Sequence, residues 1–323
     1  EAEKATRKAL KLRSDIPDSY LNMGIILNEL GKLEEARIFT AKAIELKADY
    51  GEAYSIMGEI FRYLGNLKEA EVYACNAIKY KPNLAGAYLS LSICLFARND
   101  YESAIENIKK CINIENKNNN YKLLLNIYKA KILKNKVESD QVKLANKFPK
   151  NRISYPLILQ RPIEKKLINA LYEMKSRDQE KYQNPTFGNA RGSDYELFES
   201  NNSDVQEAKR DLISMLEESF NSNIFVSESF YTIFRSGGGL KSHNHIAAID
   251  KDPTLNLASK KYVSVYYLSI GDQKCKNPGI LKLNDPDIEI LPKEGMLIIF
   301  PANRLHSVLY EGTKERIIIG VNF

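Results

Sequence analysis

The stretch Tyr54-Ser-Ile-Met-Gly58-Glu-Ile-Phe61-Arg-Tyr-Leu-Gly65-Asn-Leu-Lys-Glu-Ala70-Glu-Val-Tyr-Ala-Cys-Asn-Ala77-Ile-Lys-Tyr-Lys-Pro82 decides the first part of the fold. It repeats on both sides. Gly24, Gly58 and Ser92 are 34 residues apart, as are Ala36, Ala70 and Ala104, and Ala43, Ala77 and Cys111. Leu27, Phe61 and Leu95 take the matching large position, and Gly31, Gly65 and Asn99 punctuate each unit at its middle. Small residues at helical spacing let paired helices approach closely, and a Gly or Asn between two helical runs marks a tight turn. Each unit therefore predicts two antiparallel helices, with Pro82 closing the second unit.

This pattern resembles the tetratricopeptide repeat, whose period is the same. The resemblance implies an all-α solenoid with a concave, peptide-binding face; a spacer or dimerisation surface is the plainer reading. Tyr20, Tyr54 and Tyr88 recur at the same period and are expected to serve repeat packing. Residues 118–135 read as one more, degenerate repeat helix. Ala2 and Ala9 fit the end of an earlier unit, so further repeats are expected upstream.

The last quarter of the chain holds all three histidines: His243-Asn244-His245 and, 63 residues after the first, His306. On a strand, residues i and i+2 share a face, which would aim His243 and His245 the same way. Gly295-Met-Leu-Ile-Ile-Phe300 reads as a buried strand ending at Pro301, Leu305–Tyr310 as the next, and Arg316 opens the last. Imidazoles with a third ligand and open positions suit mononuclear iron, and a guanidinium pairs bidentately with a carboxylate. Taken singly, each of these residues has a bland explanation: a surface His pair, a polar core His, a lone surface Arg. Their joint spacing favours a metal site.

His243-x-His245, Val263-Ser-Val-Tyr-Tyr-Leu268, Pro278-Gly-Ile-Leu-Lys-Leu-Asn-Asp-Pro286, His306 and Arg316 resemble the double-stranded β-helix of 2-oxoglutarate/Fe(II) dioxygenases. The match is closest to those that accompany tetratricopeptide repeats in bacteria, and it spans roughly residues 183–323. The resemblance implies Fe(II) at His243 and His306, 2-oxoglutarate on Arg316, and hydroxylation of a protein or peptide substrate. The family's usual Asp or Glu is His245 here. Either His245 completes a three-histidine site, or Asp250 supplies the carboxylate, or the third position is open or dead. In a shifted register Ala247 would occupy the carboxylate slot, as in related halogenases. Tyr267 or Tyr231 is expected to add a hydroxyl to the co-substrate; alternation alone does not choose between them.

The expected architecture is thus multidomain: an all-α solenoid over 1–135, a linker over 136–162 with one short helix, and a jelly-roll or cupin-like barrel over 163–323. Helical periodicity at Ile163–Met174 and Val205–Phe220, the latter with Asp204 as N-cap, predicts helices that buttress the barrel. Asn184–Phe198 suits a loop at the active-site mouth, with Arg191 and Asp194 as substrate contacts. Ser236-Gly-Gly-Gly239 lacks the Lys-Ser/Thr of a phosphate loop and reads as a turn or flexible lid.

Composition narrows the classes. No apolar run is long enough to span a bilayer, and no signal peptide is visible. The 47 basic and 41 acidic residues give a net charge of +6, spread over Lys-rich helices, which suits solvated faces rather than nucleic-acid binding. Cys75, Cys94, Cys111 and Cys275 show no paired spacing; the first three read as small helix-packing residues, and a reducing cytoplasm fits. Two rivals to the hydroxylase remain. One is a repeat-based binding scaffold with a degenerate barrel. The other is a three-histidine dioxygenase that does not use 2-oxoglutarate.

Overall fold

The fold is taken from a computed structural model, which describes Glu3, Thr6 and residues 15–116, 118–140, 155–178, 188–247 and 249–323. The chain divides into two compact units: Glu1–Leu144 with Asp252–Asn256, and Ala145–Lys251 with Leu257–Phe323.

The first unit is built of helical hairpins: α1 (Pro17–Glu29) with α2 (Leu33–Leu46), α3 (Gly51–Tyr63) with α4 (Leu67–Tyr80), and α5 (Ala85–Ala97) with α6 (Tyr101–Ile114). Small residues sit where the helices touch. A methyl on Gly24 would lie 2.2 Å from Thr40 Oγ1, and Ala36, Ala70 and Ala104 are fully buried. Gly31, Gly65 and Asn99 have positive φ, the left-handed step that ends the first helix of each pair. Tyr20 packs on Phe39, and Tyr54 on Tyr73 and Tyr80, within their own hairpins. Cys94 and Cys111 are buried as expected, but Cys75 is exposed. The degenerate helix is α7 (Asn119–Asp140), which stacks Tyr128 on Phe96 at 4.5 Å. It runs on into the stretch read as linker, and that stretch ends in a strand, β1 (Leu157–Gln160). Ala2, Ala9 and residues 141–154 lie outside the described residues.

The second unit is a ten-stranded antiparallel sheet. Its strands are β1, β2 (Arg177–Asp178), β3 (Gly188–Gly192), β4 (Glu228–His243), β5 (Tyr262–Ser269), β6 (Leu281–Leu283), β7 (Ile288–Ile290), β8 (Met296–Pro301), β9 (His306–Tyr310) and β10 (Arg316–Asn322). The main path runs β1-β8-β5-β10-β4-β9-β6-β7, with β2 and β3 extending from β4.

The sheet separates two cores by strict alternation. Tyr266, Leu268, Leu297, Ile299, Ile317, Ile319 and Val321 face one way, onto α8 (Lys165–Glu173) and α9 (Ser203–Phe220). Val263, Val265, Tyr267, Ile298, Phe300 and Ile318 face the other. The two helices do buttress the sheet, as their periodicity predicts. Asp204 is not the N-cap, however. Asn202 is, because its Oδ1 accepts from the amides of both Asp204 and Val205.

β4 is the key strand. Extended, its 16 residues would span about 50 Å at ~3.3 Å each. Yet Asn322, paired opposite Glu228 at one end, also reaches His245, just past the other end. The sheet therefore curls until the two ends of β4 nearly meet. The bend lies at the glycine run. Between Phe234↔Ala190 and Gly238↔Gly188, three residues of β4 oppose only Asn189 of β3, and Gly237 has φ +83°. Ser236–Gly239 is thus a bulge inside a strand rather than a turn or lid. Gly238 and Gly239 are required by contact, since a Cβ on Gly239 would lie 2.3 Å from Val308 O, whereas Gly237 meets nothing and is required by its positive φ. Gly188–Gly192, read as mouth loop, is likewise strand, and Gly192 clears Tyr231 O for the same reason. Residues 184–187 of that stretch lie outside the described residues.

Candidate metal centre and anion pocket

His243 closes β4 and His306 opens β9, and the two are directly paired across the ladder. Their rings lie 4.2 Å apart. His245 stands beyond the strand end, so strand alternation is not what aims it. It is anchored by its amide, which donates to Ala302 O at 2.9 Å. Its Nε2 lies 3.3 Å from Nε2 of His306. One ligand atom from each of the three histidines falls within 4.8 Å of the others.

These residues fit a metal ion. Nitrogens bound at about 2.1 Å to one ion sit ~3.0–3.4 Å apart in octahedral or tetrahedral geometry, and the 3.3 Å separation lies in that range. His243 Nδ1 donates to Lys241 O at 2.8 Å and His306 Nδ1 to Arg304 O at 3.2 Å. Spending the Nδ1 proton on a backbone carbonyl leaves the Nε2 lone pair free for a metal. Burial and the neighbouring imidazoles push the His245 pKa down from 6.5 to about 3. Burial, then His243, takes His306 down to about 4. Both rings are therefore neutral at physiological pH, the protonation state a ligand needs.

The cluster opens on a pocket of about 470 Å³ whose lining includes Phe234, Val263, Val265, Tyr267, Leu281 and Arg316. Such a volume suits a small organic molecule. Arg316, first residue of β10, is 1% exposed. Its Nη1 donates to Gly279 O at 2.6 Å, its Nη2 to Pro278 O at 2.6 Å and its Nε to Ile270 O at 3.3 Å. The Tyr310 ring lies beneath the guanidinium at 4.7 Å. Among the described residues no carboxylate pairs with it. Gly279 makes room: a Cβ there would collide with the guanidinium. A guanidinium carries five N–H donors, so this one retains capacity for an anion.

The remaining candidates sort by face. Tyr267 lines the pocket, and burial pushes its phenol up to about 12, so it is a neutral hydroxyl. Tyr231 lies in the other core, with its hydroxyl on Met174 O, and cannot reach the pocket. Asp250 is buried and engaged: its Oδ2 accepts from Lys261 Nζ and the Ala247 amide, each at 2.8 Å. It is not part of the histidine cluster. Arg191 contacts Ser176 and the Tyr172 ring, while Asp194 caps the Glu196 amide; neither lines the pocket. Glu228, Lys261 and Asn322 escape the sequence reading although all three adjoin the site. A signal for Asn322 was available, since Arg316, Ile318 and Asn322 alternate onto one face of a single strand.

The class defined by the first unit is a helical repeat protein. The family model of the tetratricopeptide repeat matches residues 17–50, 51–84 and 85–118. No curated protein matches the chain. Among solved structures, the chain is similar to YrrB, described as a TPR protein with an unusual peptide-binding site. The TM-score is 0.37 at 20% identity, over 39% of this chain and 66% of that one. It is similar to MamA 41-end from Desulfovibrio magneticus RS-1, at TM-score 0.37 and 19% identity over 43% of this chain and 78% of that one. It is also similar to the first TPR of Spaghetti (RPAP3) bound to the HSP90 peptide SRMEEVD, at TM-score 0.35 and 16% identity over 36% and 93%. No helix among the described residues is long and apolar enough to cross a membrane.

Proposed function

We propose that the sheet unit is a Fe(II)- and 2-oxoglutarate-dependent dioxygenase on a double-stranded β-helix, and that the repeats bring it a protein or peptide substrate. The observation that carries this reading is Arg316: a buried guanidinium with no acidic partner among the described residues, lining the same pocket as three convergent imidazoles. A buried charge without a counter-charge is costly, and a ligand carboxylate is the natural remedy. His243, His245 and His306 would hold the iron. When bound, iron supplies the dioxygen activation that couples decarboxylation of 2-oxoglutarate to succinate with hydroxylation of a C–H bond.

The chain's own residues do the rest. Arg316 orients the distal carboxylate, held in place by three carbonyls and the Tyr310 ring. Tyr267, on the neighbouring strand, offers a neutral hydroxyl beside it. Val263, Val265, Leu281 and Ile318 form an apolar wall that keeps water from the co-substrate. Stacked repeat hairpins make a concave surface of the kind that takes extended peptides. Four free cysteines and a ferrous centre both suit a reducing compartment such as the cytoplasm.

The test is anaerobic titration with Fe(II), with and without 2-oxoglutarate, following the visible charge-transfer band of the chelate. One Fe(II) per chain is expected, lost in His306→Ala. Arg316→Ala should weaken 2-oxoglutarate binding by about a hundred- to several-thousand-fold, from ~3–5 kcal/mol for one half of a buried charge pair. Fe(II) affinity should barely change. An unchanged 2-oxoglutarate constant in Arg316→Ala would sink the co-substrate assignment in favour of a three-histidine dioxygenase that does without it.

A further inference from the structure

Asn322 is fully buried and holds two partners with one nitrogen. Its Nδ2 donates to Glu228 Oε2 at 2.5 Å and lies 3.1 Å from His245 Nδ1. The Glu228 carboxylate can only accept, so the amide nitrogen must face it. The same nitrogen has a second hydrogen, and His245 Nδ1 is the atom that receives it. An Nδ1 that accepts carries no proton, which places the proton of neutral His245 on Nε2. There it points at His306 Nε2, 3.3 Å away, an acceptor because neutral His306 carries its proton on Nδ1, which donates to Arg304 O. Every link of the chain from Glu228 to Arg304 O then has one donor and one acceptor. The cost shows at Asn322 Oδ1, a buried oxygen with no hydrogen-bond partner. An amide free to choose would satisfy that atom; this one is held by Glu228.

The three histidines are therefore not equivalent. His243 presents an Nε2 lone pair and His306 one that a metal must claim from the His245 N–H, whereas His245 presents an N–H. We propose that Asn322, oriented by Glu228, is a positioning residue that holds His245 in the Nε2–H tautomer, so that His243 and His306 are the standing ligands and His245 joins only when the amide turns over. The ligand roles rest on the proposed metal site; the hydrogen-bond assignment does not. For His245 to ligate, one proton leaves Nε2 and one arrives at Nδ1 through solvent. The amide must then rotate to offer Oδ1 to the new Nδ1–H. That rotation sets Oδ1 against the Glu228 carboxylate, an acceptor facing an acceptor, which is what resists it. The ordinary expectation, that the third histidine is as ready as the other two, ignores this restraint.

Long-range proton–nitrogen NMR of the ¹⁵N-labelled imidazoles in the metal-free protein reads each tautomer directly. His245 should show the Nε2–H pattern, and His243 and His306 the Nδ1–H pattern. Glu228→Gln keeps the shape but can donate to a rotated Asn322 Oδ1, so His245 should move towards Nδ1–H. Co(II) affinity should rise as His245 becomes a ready ligand, on the order of the 10- to 100-fold by which groups behind a ligand change metal affinity. Asn322→Asp in the Glu228→Gln background, where the Gln amide donates to the new carboxylate and that carboxylate accepts from Nδ1–H, gives a second route to the same tautomer change. An Nδ1–H His245 in the wild type, or a tautomer indifferent to both substitutions, would overturn the proposal. Failure of the wild type to bind Co(II) would overturn the metal reading alone, because the tautomers are read without metal.

Discussion

His306 is 3% exposed and neutral, and this has a consequence for stability. Its pKa falls from 6.5 unfolded to about 4 folded, chiefly through burial. Between those values the unfolded chain binds the extra proton and the folded chain does not, so stability drops as pH falls from about 6.5 through about 4. At roughly 1.36 kcal/mol per unit, the loss from this residue approaches ~3 kcal/mol. His245 adds to it in the same direction, since its pKa is lowered further, to about 3. Denaturant melts of metal-free protein across that window should show the fall, and His306→Gln should make it shallower while leaving the share of His245. A wild-type profile that is flat from neutral to mildly acid pH would mean these rings are not buried as bases. The identity of the three histidines was legible from sequence because no other histidine competes for the role. Their inequality was not, because it depends on Asn322, 77 residues beyond His245.

At the scale of elements, the decisive one is β4 with its glycine bulge. The run Ser236-Gly-Gly-Gly239 has the composition of a turn, and only its neighbours reveal a strand. Leu240 pairs with Val308 and His243 with His306, so whatever spaces β4 from β9 also spaces the two histidines. Gly239→Ala would put a methyl 2.3 Å from Val308 O and 3.1 Å from Leu309 Cα, both backbone atoms that cannot swing aside. The expected cost is ~1–3 kcal/mol, as for other overpacked sites. Thermal melting should fall by several degrees and Co(II) binding should weaken with it. Unchanged melting and affinity would show that the two strands are not in this register. The same alternation decides between the two tyrosines: Tyr267 shares the pocket face with Val263 and Val265, whereas Tyr231 falls with Ile233 on the helix-packed face. Periodicity predicted that one would point inward, and pairing chose which.

At the scale of the molecule, each unit contains its own core. Both apolar clusters of the sheet unit draw their residues from 157–323. A chain of residues 145–323 should therefore fold, melt cooperatively and bind Co(II) with near-wild-type affinity, while losing the peptide capture proposed for the repeats. Circular dichroism and metal titration of that fragment test this; an unfolded fragment would make the repeats structural supports. By itself, the sequence determined the helical hairpins. Their contacts are made between neighbours along the chain, so small residues and left-handed turns recur at a fixed interval that needs no partner to be read. It also determined which side chains could form the centre, since rare residue types at fixed spacing leave few choices. Tertiary structure alone decided the curl of β4, the course of residues 157–160 as a strand rather than a linker, the withdrawal of Asp250 into its pair with Lys261, and the relay from Glu228 through Asn322 to His245. Most of these join residues distant in sequence. Pairing across a curled sheet is set by which backbones meet, and local pattern carries no record of that.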